Sequence, residues 1–347
     1  MADTNEIHEN LIDIERVIAS KNPTLLKVIP GFVIRYLKRI THQDGINDYI
    51  YRNREKVGLE FVDAILKEFG AEISWQWAVG SGQFVSRTEE LGAEIQVRNN
   101  QLPSALADGS ERAAHLGLQP KTFGAKALDE SSLHSPSLES DGNSIPGIRH
   151  PASGGRYIIA SNHPLGGLDG MALMQAVGRI RQDLVFPVND ILMNVPGLQP
   201  LFIPINKHGK NTDNVRIIDE TFASDKVILY FPAGLVSRKQ KGGEIRDLEW
   251  KKTFITKARR YHRDVIPVHI SGQNSNFFYN LSNWRKRLGI KANLEMLYLV
   301  DEMVKQKDKP IRITFGDPIP WTTFDKTRTD SQWAEWVKGI VYLLDDA

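Results

Sequence analysis

From residue 157 onward, short apolar runs rich in β-formers alternate with stretches of helical periodicity, and this restricts the fold more than any other feature. Tyr157–Ala160, Leu184–Val188, Val227–Phe231, Val265–Ile270 and Ile311–Phe315 each hold four to six residues and end at turn-forming side chains. Leu201–Ile205 reads as a further short strand or the entry to a loop. Between them, Gly170–Arg181, Thr212–Ser224, Trp250–Tyr261, a segment near 281–305 and Ser331–Leu344 carry helical spacing. Continuous apolar runs of this length suit strands buried on both faces. Strands alternating with helices imply an α/β fold: a largely parallel central sheet flanked by helices.

The first 70 residues differ, and read as an N-terminal helical element. Ile7, Leu11, Ile14, Val17 and Ile18 form an apolar stripe over residues 5–20. Residues 25–40 are apolar with Lys27, Arg35, Lys38 and Arg39 interspersed, and Pro30-Gly31 should break them. That segment suits a helix packed on the main domain or a basic amphipathic segment peripheral to an anionic membrane. Residues 46–69 read as one helix stopped by Gly70. A lead-in to the sheet over 71–98 holds two strands, Glu72–Trp77 and Glu94–Val97. Residues 99–153, rich in Ser, Gly, Asp, Pro and Asn, show no sustained period and read as a flexible insertion. His115, His134 and His150 fall in it and read as solvated. The α/β domain proper is placed at 154–347.

Composition removes several classes of function. The chain has no cysteine, which excludes thiol nucleophiles, disulfides and cysteine-ligated zinc. Its net charge of +2 gives no whole-chain attraction to nucleic acid, and none is expected as a partner. The first ten residues are polar and acidic, without the apolar core of a secretory signal. No apolar run approaches the ~18 residues a spanning helix needs. A cytoplasmic protein with at most peripheral membrane contact is expected. No His-Glu-x-x-His, Walker A or dinucleotide fingerprint is present, so neither a metal nor a bound cofactor is expected.

The run Tyr157–Ala160 opens into Ser161, Asn162, His163, Pro164 and the pair Gly166-Gly167, with Asp169 following. A strand end in an open α/β sheet is where ligands bind. A histidine there, with a carboxylate across a glycine turn, suits a base and its orienting partner. The same spacing also suits a histidine that caps the following helix, so spacing alone leaves both readings open.

Three further segments settle on a resemblance. Asn162-His163 with Asp169 resembles the first motif of the lysophospholipid and glycerolipid O-acyltransferases. Phe231 through Arg238 looks like their third motif, Phe-Pro-Glu-Gly-Thr-Arg-Ser, and Val265–Val268 like their fourth. Pro200 through Lys207 stands where the second would be, and Gly316–Pro320 resembles a segment that often follows. The resemblance implies transfer of a fatty acyl chain from an acyl carrier protein or coenzyme A thioester to a hydroxyl of a lyso-lipid, at the inner face of the membrane. His163 would be the general base, oriented by Asp169. Asn162, Gly166, Gly167, Gly234, Ser237 and Arg238 would contact substrate, with backbone amides of the Gly166-Gly167 or Gly234 turn facing the oxyanion. Lys207 and Lys210 would meet the head group.

The departures from the family pattern matter equally. Five residues separate His163 from Asp169 where the family has four, an excess that Gly166-Gly167 can absorb. Asn206-Lys207 replaces the second motif's arginine, and Ala233 replaces the third motif's glutamate. Both changes weaken recognition of a phosphate-bearing acceptor. They point from lysophosphatidic acid toward a lyso amino-acid lipid. They also admit an impaired, membrane-associated lipid-binding protein on the same fold. Lysine and arginine outnumber acids from Arg238 to Arg263, and Arg285-Lys286-Arg287 adds a second cluster. Such runs suit solvated helix faces, anionic lipid or an acidic carrier protein.

Overall fold

A computed structural model describes residues 12–21, 23–79, 83–88, 96–98, 155–188, 192–204, 212–291 and 293–345. Lys207, Lys210, the first-helix stripe before Ile12 and the 99–153 insertion lie outside the described residues.

Five strands, β4 (Tyr157–Ser161), β5 (Leu184–Val188), β6 (Phe202–Pro204), β7 (Val227–Tyr230) and β10 (Asp264–Ile270), run parallel in the order β10-β4-β7-β5-β6. The sheet continues past β10 through β11 (Ile311–Phe315), β1 (Ile73–Val79), β2 (Gln83–Thr88) and β3 (Gln96–Arg98). β11 is antiparallel to β10 and parallel to β1, whereas β1-β2-β3 is an antiparallel meander. The fold is thus α/β with a largely parallel sheet. β2, and a two-residue hairpin of β8 (Arg238–Lys239) with β9 (Ile245–Arg246), are elements that the apolar pattern does not announce.

β4 is buried along its whole length, and its side chains alternate between two cores as the strand period requires. Ile159 joins α5 (Leu59–Glu68) and α6 (Leu168–Gly178) on one face, with Phe61, Val62, Leu173 and Val177. Ile158 and Ala160 join α7 (Thr212–Ala223), α8 (Thr253–Tyr261) and α11 (Asp330–Leu343) on the other, with Phe222, Phe254, Ile255, Val337 and Val341. Pro267, in the middle of β10, is tolerated where the β11 ladder ends. Its carbonyl still accepts from Gly316 N–H at 2.8 Å.

Two predicted helices are divided. Residues 46–69 form α4 (Gln43–Arg52) and α5, separated at Gly58, whose φ of +60° lies in the left-handed region. The helix read over 281–305 is α9 (Asn276–Arg287), a 3-10 turn at Leu294–Tyr298 and α10 (Leu299–Lys305). α9 ends in a Schellman motif: Ile290 N–H donates to Arg285 O (2.9 Å) and Gly289 N–H to Lys286 O (3.1 Å), with Gly289 at φ +69°. Toward the N-terminus, α1 (Ile14–Lys21), α2 (Pro23–Val28) and α3 (Gly31–Ile40) follow one another, with Pro30-Gly31 at the last break as the sequence predicts. No helix among the described residues is long and apolar enough to cross a membrane.

Candidate active site

The parallel strands β4, β7 and β10 end together, and the residues leaving those ends build the site. Asn162 prolongs the pairing of β4 with β10 by one step through its side chain. Its Nδ2 donates to Ile270 O (2.9 Å) and its Oδ1 accepts from Ile270 N–H (2.7 Å). Its amide is therefore spent on the scaffold, a positioning use rather than the substrate contact read from sequence.

His163 leaves the sheet at that point. Its Nδ1 lies 2.9 Å from Asp169 Oδ2. Its ring stacks on Phe231 at a centroid distance of 4.1 Å and an interplanar angle of 19°. Phe231, the first residue after β7, is held in turn by the edge of Phe186 at 5.0 Å. Asp169 sits in the first turn of α6, wholly buried. Its Oδ2 also accepts from Leu165 N–H (2.8 Å) and Gly166 N–H (3.1 Å), and Oδ1 from Gly170 N–H (2.8 Å). Burial alone would push the Asp169 carboxyl up, but His163 and these amides hold it below the ordinary carboxylate range. The carboxylate stays ionised, and with its backbone partners it selects the tautomer whose Nδ1–H donates, leaving Nε2 as acceptor.

The five-residue spacer wraps the carboxylate as a loop. Gly166 takes φ +97°, and a Cβ there would lie 2.9 Å from Leu299 Cδ2; one on Gly167 would lie 2.9 Å from Met303 Sδ. The glycines thus let α10 sit directly on the turn. As oxyanion donors the predicted amides fare unequally. Gly166 N–H is spent on Asp169, and Gly234 N–H (φ +63°) closes a turn onto Phe231 O at 3.0 Å. Gly167 N–H has no partner among the described residues.

The side chains of Ser237 and Arg238 are likewise engaged within the protein. Ser237 is buried; its N–H donates to His163 O (2.8 Å) and its Oγ to Asp247 Oδ1 (2.5 Å). Arg238 is 1% exposed, packed over Phe278, donating to the carbonyls of Val236 and Ser237 and to Glu295 Oε1 (3.1 Å). Glu295 also receives Arg285 and Ser282, all of them buried. Part of the basic run is likewise spent internally. Arg263 is buried among the carbonyls of Tyr157, Thr221, Phe222, Ser224 and Lys226, and burial takes it down to about 10. Lys257 pairs with Asp219 and Arg259 with Asp330.

One buried acid escapes sequence reading altogether. Asp247 accepts from His163 N–H (3.2 Å), Ser237 Oγ and Trp250 Nε1 (2.9 Å), while its own N–H donates to Tyr342 OH (2.7 Å). It anchors the backbone of the histidine from 84 residues away, a distance at which no local pattern signals it. Beside it, an open cleft of about 780 Å³ runs along Asn162, Pro164, Ser237, Arg246, Gln273 and Tyr342. No cluster of His, Asp or Glu among the described residues is arranged to hold a metal.

The family model described as Acyltransferase matches residues 141–347. Sheet and motifs together define a transferase of acyl groups, and the chain belongs to that acyltransferase family. A Lyso-glycine lipid O-acyltransferase of Bacteroides thetaiotaomicron is 41% identical over 336 residues, covering 96% of this chain and 97% of that one. One of the same description from Phocaeicola vulgatus is 40% identical, covering 96% and 95%. The chain is an O-acyltransferase. Among solved structures, the 1-acyl-sn-glycerophosphate (LPA) acyltransferase PlsC from Thermotoga maritima overlaps 54% of this chain and 64% of that one at 15% identity. Its TM-score of 0.36 is too low to carry positions across.

Proposed function

We propose that this enzyme acylates a hydroxyl of a lyso amino-acid lipid, a lyso-glycine lipid, from an acyl carrier protein or coenzyme A thioester, with His163 as general base. The observation that carries the reading is the His163–Asp169 pair, its carboxylate buried, at the shared strand ends, in a chain that matches lyso-glycine lipid O-acyltransferases over nearly its full length. Nε2 of His163 takes the hydroxyl proton as the oxygen attacks the thioester carbon. The tetrahedral intermediate forms with its oxyanion toward the Gly167 amide. Its collapse expels the thiolate, which recovers the proton from Nε2, leaving an ester and a free thiol. An ionised Asp169 favours this over an impaired lipid-binding protein.

Exposure supports a membrane face. Phe32 (66%) and Tyr36 on α3, Phe277 and Trp284 (60%) on α9, and Leu288 and Leu297 around the 3-10 turn face solvent, tied together by Tyr36 OH to Tyr298 OH at 2.7 Å. Arg35, Arg39, Lys286 and Arg287 are exposed among them. Aromatics ringed by cations suit the interface of an anionic bilayer, whose inner face supplies the acceptor. The test is acyl transfer by the purified protein to lyso-glycine lipid and to lysophosphatidic acid with each donor, alongside vesicle flotation. Preference for the glycine lipid is expected, together with flotation on anionic vesicles that Phe32→Asp with Trp284→Asp abolishes. Preference for lysophosphatidic acid sinks the acceptor assignment; flotation of the double variant sinks the membrane face.

The pH dependence has a defined sign. Burial disfavours the His163 imidazolium and Arg238 adds to that, but the charge and hydrogen bond of Asp169, with Asp247 behind them, outweigh both and raise the group above 6.5. A general base must be neutral, so kcat/KM is expected to fall as pH drops through a value above 6.5. Asp169→Asn removes the charge that raises it and is expected to move that limb to lower pH while lowering kcat. A limb unmoved in Asp169→Asn assigns the titration to another group.

A further inference from the structure

We propose that the cleft beside the catalytic turn binds the carboxylate of the acceptor, with Arg246 as its ligand. The inference rests on the amino-acid lipid reading above: a glycine whose nitrogen carries the fatty chain keeps its carboxylate, only a few bonds from a hydroxyl on that chain.

Arg246 ends the short strand β9 and lines the cleft. Its guanidinium lies over the Tyr342 ring, 4.2 Å from the centroid. That ring is itself fixed, because Tyr342 OH accepts from Asp247 N–H. Nη1 donates to Glu244 at 3.1 Å, but Glu244 is largely exposed, and surface pairs of this kind are weak. The other edge of the fork is unclaimed. Nε is buried without a partner, and Nη2 has none among the described residues. The Nε–Nη2 edge is the one that meets a carboxylate side-on with two parallel hydrogen bonds.

Position supports the same conclusion. Arg246 directly precedes Asp247, whose carboxylate accepts from the His163 N–H, so one peptide link joins the anion ligand to the anchor of the base. Asn162 and Pro164, the chain neighbours of His163, and Ser237, whose N–H donates to the His163 carbonyl, line the same cleft as Arg246. Ile245, Ile270 and Leu343 give the cleft an apolar side for the methylenes beside the carboxylate.

The test compares lyso-glycine lipid with its primary carboxamide, which keeps the shape and loses the charge. For the wild type, KM for the carboxamide is expected to exceed that for the acid by about tenfold or more, the scale of a charge-assisted hydrogen bond. In Arg246→Gln that ratio is expected to collapse toward one, and in Arg246→Lys to fall between. Melting temperature reports whether the variants fold, and the ratio of two acceptors on one preparation is independent of how much does. If the wild type acylates both acceptors without discrimination, or Arg246→Gln discriminates as well as the wild type, the carboxylate site is wrong while the acceptor class stands. If the wild type acylates neither, the acceptor class falls and this site with it.

Discussion

Replacing His163 by alanine is expected to lower kcat by about 10³, within the ~10²–10⁴ that a positioned general base contributes. The fold should survive. Asp169 keeps the N–H groups of Leu165, Gly166 and Gly170 when the imidazole is gone, so its buried charge is not orphaned. The stack on Phe231 is lost, but Phe231 stays wedged against Phe186. His163→Gln separates chemistry from support: glutamine offers Asp169 a side-chain donor but no base. Equal inactivity of the two variants at unchanged melting temperature is the expected outcome in an acyl-transfer assay. Activity retained in the glutamine variant would leave the histidine a structural post.

The second large effect lies in the buried cluster around Glu295. Its Oε1 accepts from Arg238 (3.1 Å), Ser282 (3.2 Å) and Arg285 (2.8 Å), and its Oε2 from Arg285 Nε (2.5 Å). Glu295→Ala leaves two guanidinium groups inside without their anion. Breaking a buried pair this way costs about 3–5 kcal/mol, and denaturant unfolding is expected to show a loss of that size. Activity is expected to fall too, because Glu295 fastens the 3-10 turn leading into α10, and α10 packs Leu299 and Met303 onto Gly166 and Gly167. Replacing Glu295, Arg238 and Arg285 together by apolar residues should restore much of the stability, since paired removal leaves no orphan. Burial works to raise the Glu295 carboxyl, yet the two arginines hold it below 4.5. A folded value below the unfolded one means its contribution is present above 4.5 and disappears as pH falls through the depressed folded value.

How much of this was legible follows from what each element depends on. The strands of the parallel half read cleanly because burial on both faces writes a continuous apolar run, as in Val227–Tyr230 and Ile311–Phe315. Helix breaks at Gly58 and Gly289 were illegible because apolar spacing carries on across them, and only the left-handed backbone marks the stop. Of the site, His163, Asp169 and the glycine turn lie in one stretch and could be read from it. Asp247 and Glu295 could not: each owes its role to partners tens of residues away. The arginines misled for the same reason. Arg238 and Arg263 sit in a basic run that suggests solvent or lipid, but burial depends on acceptors that distant segments supply.

The pairing of β1 with β11 has a consequence for how the chain is made. Gln76 and Thr314, which meet across that pair, are 238 residues apart. At about 5–20 residues per second on the ribosome, β1 waits roughly 10–50 s before its parallel partner is made. Until then its Trp75 and Trp77 have no Phe315 to pack on. The meander with β2 and β3 is all that satisfies its backbone in the interval. Nascent chains stalled before residue 311 would carry an open strand edge and unsheltered indoles, the features chaperones bind.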